Sequence, residues 1–171
     1  MIINDIYIKL QAFAVAAIGL PGCTVIFANQ STSRPKKPFL IISLSGFRNV
    51  SRPILKKSDD DGIVTTVTPV VTTASFQCIS DNLHSAEIIL CHLYSAFNTE
   101  LPNNIFKGTL ALHRTLKNVS AIPVEIDAKM ESRAILELEL AFNLERTENV
   151  GFIEHLHIKD EQSNKEYIFN K

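Results

Sequence analysis

Apolar residues recur along this chain at two periods, and the switches between them mark out its elements. Over residues 4–19, Ile6, Leu10, Phe13, Ala14, Ala17 and Ile18 return every three or four positions, which predicts an amphipathic helix. Asn4 suits the N-cap, Asp5 suits the positive end of the dipole, and Pro21 with Gly22 supplies the stop. Extended segments are expected next at 23–29, at 39–45 and, more weakly, at 52–57. Pro38 fixes the entry to the second of these and pushes Lys37 toward an extended conformation. Residues 63–80 are rich in Val and Thr, the composition of strand. Pro69 cannot donate to a ladder, so this stretch predicts two strands, or one edge strand with a break. A second helix is predicted over 81–97, capped by Asp81. Its broad apolar face holds Leu83, Ala86, Ile88, Leu90, Cys91, Leu93, Tyr94 and Phe97, and Pro102 ends the region. A short strand is expected at 109–115.

The clearest alternation lies in the last third. Leu136, Leu138, Leu140 and Phe142 share one side of an extended chain, and Ile135, Glu137, Glu139 and Ala141 share the other. Glu, Leu and Ala favour helices, but the strict period of two predicts a half-buried strand, apolar inside and acidic outside. Carried over 131–146 it would span about 50 Å, long enough for part of it to project from the domain body. Residues 152–160 and 165–170 read as a final hairpin across "EQSN". The expected fold is α+β: a mixed, mostly antiparallel sheet packed by two main helices, with a long C-terminal strand and a terminal hairpin. It is expected as a single domain, 1–171, with the hairpin at 149–171.

Composition narrows the function classes. A chain of 171 residues at 46% hydrophobic content is one domain with a real core. A formal net charge of −1 argues against a whole-protein electrostatic grip on nucleic acid. Cys23, Cys78 and Cys91 are an odd set without C-x-x-C spacing and read as reduced, mostly buried thiols. The apolar run 12–20 ends in "LPGC", a faint lipoprotein-type box, but Asn4, Asp5, Lys9 and Gln11 precede it where a clean cationic start belongs. The run is also too short for a bilayer, so no signal peptide or membrane contact is expected.

Candidate chemistry is sparse. There is no Gly-rich phosphate loop, no G-x-S-x-G and no H-E-x-x-H. His155 and His157 stand two apart on an expected strand and offer two ligands of a zinc site without a third nearby. His84 and His92 are two helical turns apart, too far for one ion. Cys91 falls on the apolar stripe of its helix, where core packing competes with a nucleophile's role. Asp59, Asp61 and Gly62 form a tight turn and lack the later ligands of a calcium loop. Glu137 and Glu139 are about 7 Å apart on one strand, whereas glycosidase pairs converge across a cleft. The expectation is no enzyme, no catalytic residue, no cofactor and no metal. The enzymatic rival is a small hydrolase using Cys91 or the late histidines.

Charge distribution says more. Arg34, Lys36, Lys37, Arg48, Arg52, Lys56 and Lys57 follow one another without an acid, while acids dominate from Glu125 onward. Two readings stand. The basic patch of one copy meets the acidic patch of the next, a heterologous contact that closes into a ring when the rotation permits; or the two segments meet within one subunit. Arg34, Lys36, Lys37, Arg48 and Arg52 are therefore candidate subunit-interface residues, and Glu137 and Glu139 lie on the acidic side they could meet. The prolines of "SRPKKP" stiffen its cations for such a contact, and Lys and Pro beside a strand also protect its edge.

The order of these pieces resembles the neck or tail terminator proteins of tailed bacteriophages. The resemblance covers roughly residues 4–145 and rests on "NDIYIKLQAFAVAAIG", "VIFANQSTSRPKKPFLIISL", "FQCISDNLHSAEIILCHLYSAF" and "ESRAILELELAFN". Its most specific part is the asparagine at a strand end, the proline-rich basic turn and the "PF-apolar" strand. Relatives often place an aromatic and a glycine where this chain has Ile79 and Ser80, and the hairpin after Asn149 has no match. The resemblance implies a structural virion protein, present in the host cytoplasm during assembly. It would form a hexameric ring that caps the tail tube, stops its polymerisation and meets the head connector or stopper, and in contractile tails the sheath. DNA would pass through the pore without specific binding; Glu137 and Glu139 are candidates for an acidic lining that keeps it from sticking, or for an interface with the basic segment of the adjacent subunit. Neighbouring alternatives are a head-completion protein of the same connector and, last, a single-strand nucleic-acid binder using residues 34–57 with Phe39 and Phe47.

Overall fold

Burial of the predicted apolar stripes organises the computed structural model, which describes residues 3–30, 33–56, 63–81, 85–122, 124–126, 129–149, 155–160 and 165–170. The first helix, α1, spans Ile3–Ile18 and buries Ile6, Leu10, Phe13 and Ala14 completely. Gly19 ends it at φ +58, a left-handed conformation that costs glycine nothing.

The strands follow as β1 (Thr24–Phe27), β2 (Phe39–Asn49), β3 (Ile54–Lys56) and β4 (Ile63–Ser80). Then come α2 (Ala86–Ala96), α3 (Leu101–Phe106), β5 (Leu110–Ala121), β6 (Val124–Ile126), β7 (Lys129–Asn149), β8 (His155–Asp160) and β9 (Lys165–Asn170). The fold is α+β with a mostly antiparallel, mixed sheet.

The chain divides into two compact units. In the first (Met1–Arg52 and Thr68–Leu144) the strands run in the order β1-β2-β4-β7-β5. β1 is parallel to β2, and β2–β4 and β5–β7 are antiparallel. One face of this sheet (Leu40, Ile42, Ala74, Phe76, Leu136, Leu138 and Leu140) closes a single core with α1, α2 and α3. Phe13 anchors it, its ring tilted against those of Phe97 and Phe106 at 4.4 and 5.1 Å between centroids. In the second unit (Pro53–Val67 and Glu145–Lys171), β3 pairs with β4 from Ile54↔Val67 to Lys56↔Thr65, and β8–β9 form an antiparallel hairpin.

The outer edge of β1 is closed by amides. Thr24 and Ala28 donate their N–H groups toward β2, so Val25 and Phe27 turn theirs outward. Gln11 Nε2 donates to the Val25 carbonyl at 3.0 Å, and the Phe27 N–H donates to Gln30 Oε1 at 3.3 Å. The Gln30 N–H in turn donates to the Phe27 carbonyl.

Several expectations need correction. Residues 63–80 form one strand, and β4 lies between β2 and β7, not at an edge. Pro69 is tolerated because the β2 ladder ends at Asn49↔Val70, and its carbonyl accepts the Val50 N–H. Helix α2 starts at Ala86 rather than Asp81. Ser85 makes no side-chain cap, and Ser132 Oγ on β7 instead accepts the Ala86 N–H, so the capping oxygen comes from a distant strand. Pro102 does not end a helical region but opens α3, where its missing N–H costs nothing. The expected strand at 109–115 continues to Ala121. The Asp59–Gly62 turn and His84 lie outside the described residues.

Candidate functional site

The face of the sheet that turns away from the helices is built by the alternation on β7. Glu131, Arg133, Ile135, Glu137, Glu139 and Ala141 occupy the positions between its core residues. The sequence predicts this side as acidic and solvated. Instead Glu139 is only 4% exposed and Glu131 only 5%. Carboxylates at that depth require compensating charge, and the neighbouring strands and the loop before β2 supply it.

At Glu139, Arg48 of β2 donates from Nη2 to Oε1 at 2.8 Å. Arg114 of β5, in register with Glu139, stands 2.8 Å from Oε2 through Nε, as an ion pair without hydrogen-bond alignment. His113 Nε2 lies 3.7 Å from the same oxygen. At Glu131, Arg34 Nη2 and Lys37 Nζ both stand 2.5 Å from Oε1, and Arg133 Nε stands 2.5 Å from Oε2. Arg34 also lies 5.5 Å over the Phe39 ring. Phe39, Val71 and Ile79 are buried without joining the helix-side core.

The electrostatics follow from this packing. Burial pushes the Glu131 carboxyl up, but hydrogen bonds from Lys37 and Arg133 and the charges of Arg133 and Arg34 outweigh it, and it falls from 4.5 to about 2. The Arg48 hydrogen bond, against burial and with help from Arg114, holds Glu139 below its ordinary value. In the second unit, the Lys56 hydrogen bond at 2.7 Å lowers Glu145.

The residues singled out by charge patterning divide accordingly. Arg34, Lys37 and Arg48 meet buried acids of their own chain, the second of the two readings the sequence left open. Lys36 and Arg52 are exposed and pair with no acid among the described residues. Glu137 is half-buried, opposite Lys117 in the β5–β7 register. Glu131, His113, Arg114 and Arg133 complete the clusters and were not singled out. The one local trace of them is that Arg133 stands two positions from Glu131, on the same side of a strand.

Other candidates resolve differently. Cys91 is exposed, because the helix buries Ala86, Ile89, Leu90, Leu93 and Ala96 and turns Cys91 outward with Glu87, Ile88 and His92. Cys78 is buried and Cys23 half-buried. His155 and His157 fall on β8, in register with Asn170 and Ile168. Among the described residues no group of three or more His, Cys, Asp or Glu is placed to hold a metal ion. No helix among them is long and apolar enough to cross a membrane. A groove of about 520 Å³ between α1 and the β1–β2 edge is lined by Asn4, Tyr7, Ile8, Gln11, Phe27 and Leu44 among others. The outward stripe of α1 exposes Ile8 (66%) and Val15 (54%), and α2 exposes Ile88 (59%).

Comparison with known proteins gives a family. A family model described as phage neck terminator protein matches residues 4–164. One solved structure aligns at 17% identity and a TM-score of 0.44, over 84% of this chain and 97% of that one. No curated protein matches.

Proposed function

The chain belongs to the phage neck terminator family, and from that premise we propose that it forms a hexameric ring on the head-proximal end of the tail tube. A phage neck protein belongs to the virion and works by contact with other head and tail proteins. In the proposed assembly the ring stops tube polymerisation and presents a surface to the head connector or stopper, and to the last sheath ring where the tail is contractile. DNA passes through its central opening.

The observation that carries this reading is the family match over residues 4–164, nearly the whole chain. The surface is compatible with it. Ile8 and Val15 on α1 and Ile88 on α2 are large, exposed aliphatic side chains on a helical layer, the kind of surface that partners cover. Lys36 and Arg52 remain the cations of the basic segment open to an acidic neighbour, while Arg34, Lys37 and Arg48 present what their own carboxylates leave unsatisfied. Glu137 is the lining candidate that keeps partial exposure.

Negative-stain imaging and native mass of the purified chain, alone and mixed with purified tail-tube protein, test the proposal. Rings at the tube end and shortened tubes are expected. Binding to the portal-side ring without binding to tube would replace this reading with that of a head-completion protein. Lys36→Glu should weaken self-association, and added salt should act in the same direction.

A further inference from the structure

The acidic side of β7 reads from sequence as a candidate pore lining or subunit interface, but its carboxylates are not the groups that solvent meets. Its acids are covered: the side chains of Glu131 and Glu139 are 3% and 5% exposed, beneath cations. The covering side chains reach solvent, with Arg34 at 52%, Lys37 at 37%, Arg48 at 54%, His113 at 45% and Arg114 at 59%, while Arg133 keeps 22%. Exposed Lys117, opposite Glu137, joins them. Across this face the described cations outnumber the acids, although the whole chain is at −1.

Orientation adds to charge. Arg114 and Arg133 each engage a buried carboxylate through Nε. A guanidinium carries five N–H donors, so one held at Nε keeps its Nη groups for a second partner. A pinned fork loses little further freedom on gripping an oxyanion. Glu131 and Glu139 stand eight positions apart on β7, which separates the two clusters by about 26 Å along the strand. Between them β2 and β4 contribute Ser43, Thr73, Ser75 and Gln77, all partly exposed.

Arginine and lysine with small hydroxyl and amide donors is the set of groups that contacts nucleic-acid phosphates. A protein-binding face needs a centre of aromatic and aliphatic side chains poor in charge. Here Phe39, Val71 and Ile79 are already buried at 1–5% exposure, and the partly exposed Ile41 and Ile135 stand singly, opposite Gln77 and Ser120. We propose that this face docks the phosphate backbone of duplex DNA without reading sequence, through Arg48, Arg114 and Lys117 toward one end and Arg34, Lys37 and Arg133 at the other. The proposal deepens the neck reading, in which DNA passes this protein, and turns the passage from a frictionless one into one with weak, reversible contacts.

Fluorescence anisotropy of the full chain with a labelled duplex of about 24 base pairs, across a salt series, tests it. With about four phosphates neutralised, the logarithmic salt slope should be near −3.6, so binding weakens about a hundredfold between 50 and 200 mM salt. Arg34→Gln with Lys117→Gln leaves Glu131 two of its cations and should reduce the slope by about 2. Lys107→Gln, at the end of α3, should not change it. Circular dichroism checks that each variant is folded. No binding at 50 mM salt, a slope indifferent to the double variant, or preference for polyglutamate over DNA would each overturn the inference. Native mass of the same samples reads ring formation separately, so a monomer that binds DNA as expected would fail the ring reading and keep this one.

Discussion

Glu131→Gln offers the sharpest test of how the sheet face is held together. The Glu131 carboxyl titrates near 4.5 in an unfolded chain and at about 2 in the folded one. Each tenfold in proton affinity is about 1.4 kcal/mol, so at full value the pairing is worth about 3 kcal/mol. Glu131 itself is buried, but Arg34 and Lys37 are 52% and 37% exposed, and solvent screens their share. Halving the figure gives about 1.5 kcal/mol, or about 5 °C in melting temperature for a chain of this size. The folded value is the depressed one, so the unfolded chain binds more protons between pH 4.5 and 2. This stability is therefore complete above about pH 4.5 and drains away as pH falls toward 2 and below. Thermal melts followed by circular dichroism at pH 7, 5, 4, 3 and 2 should show wild type above Glu131→Gln at neutral pH, with the gap closing in acid. Comparing the two proteins cancels Glu139 and Glu145, whose carboxyls are also lowered. A gap that stays constant from pH 7 to 2 would mean that the ion cluster contributes nothing through charge, and the account of the buried acids would fail.

Two further outcomes follow from the packing. Leu138 is fully buried against the helices, so Leu138→Ala should cost about 3 kcal/mol and lower the melting temperature by about 10 °C, measured by calorimetry. Titration of the native chain with a disulfide reagent should find one fast thiol, Cys91, which Cys91→Ser removes. Cys78, buried and pushed up to about 12 chiefly by burial and then by Cys23, should react only on unfolding.

Legibility tracked the range of the interaction that fixes each feature. Helix α1 could be read because its own side chains, Ile6, Leu10, Phe13 and Ala14, set its period and its buried face. The alternation of β7 was equally plain and placed Leu136, Leu138 and Leu140 in the core. The start of α2 was not legible, because its capping oxygen belongs to Ser132, far along the chain. Nor was the continuity of β4 through Pro69, which depends on where β2 leaves its ladder. The candidate site shows the same division. Arg34, Lys37 and Arg48 were conspicuous as an acid-free run, and Glu137 and Glu139 as same-side carboxylates. Which acid each cation meets is a matter of strand order: Arg48 is on β2 and Arg114 on β5, and both reach Glu139 on β7. A period of two says which residues share a face; it does not say whether water or arginine lies over them.

The glutamines at the margin of β1 bear on how copies can join. Gln11 and Gln30 occupy the outward Val25 carbonyl and both outward groups of Phe27, which leaves an arriving chain little to bond. Runaway stacking of subunits, one ribbon onto the next, is blocked along that margin. Copies that meet along that margin must do so through side chains, whose shape and angle limit how they can stack.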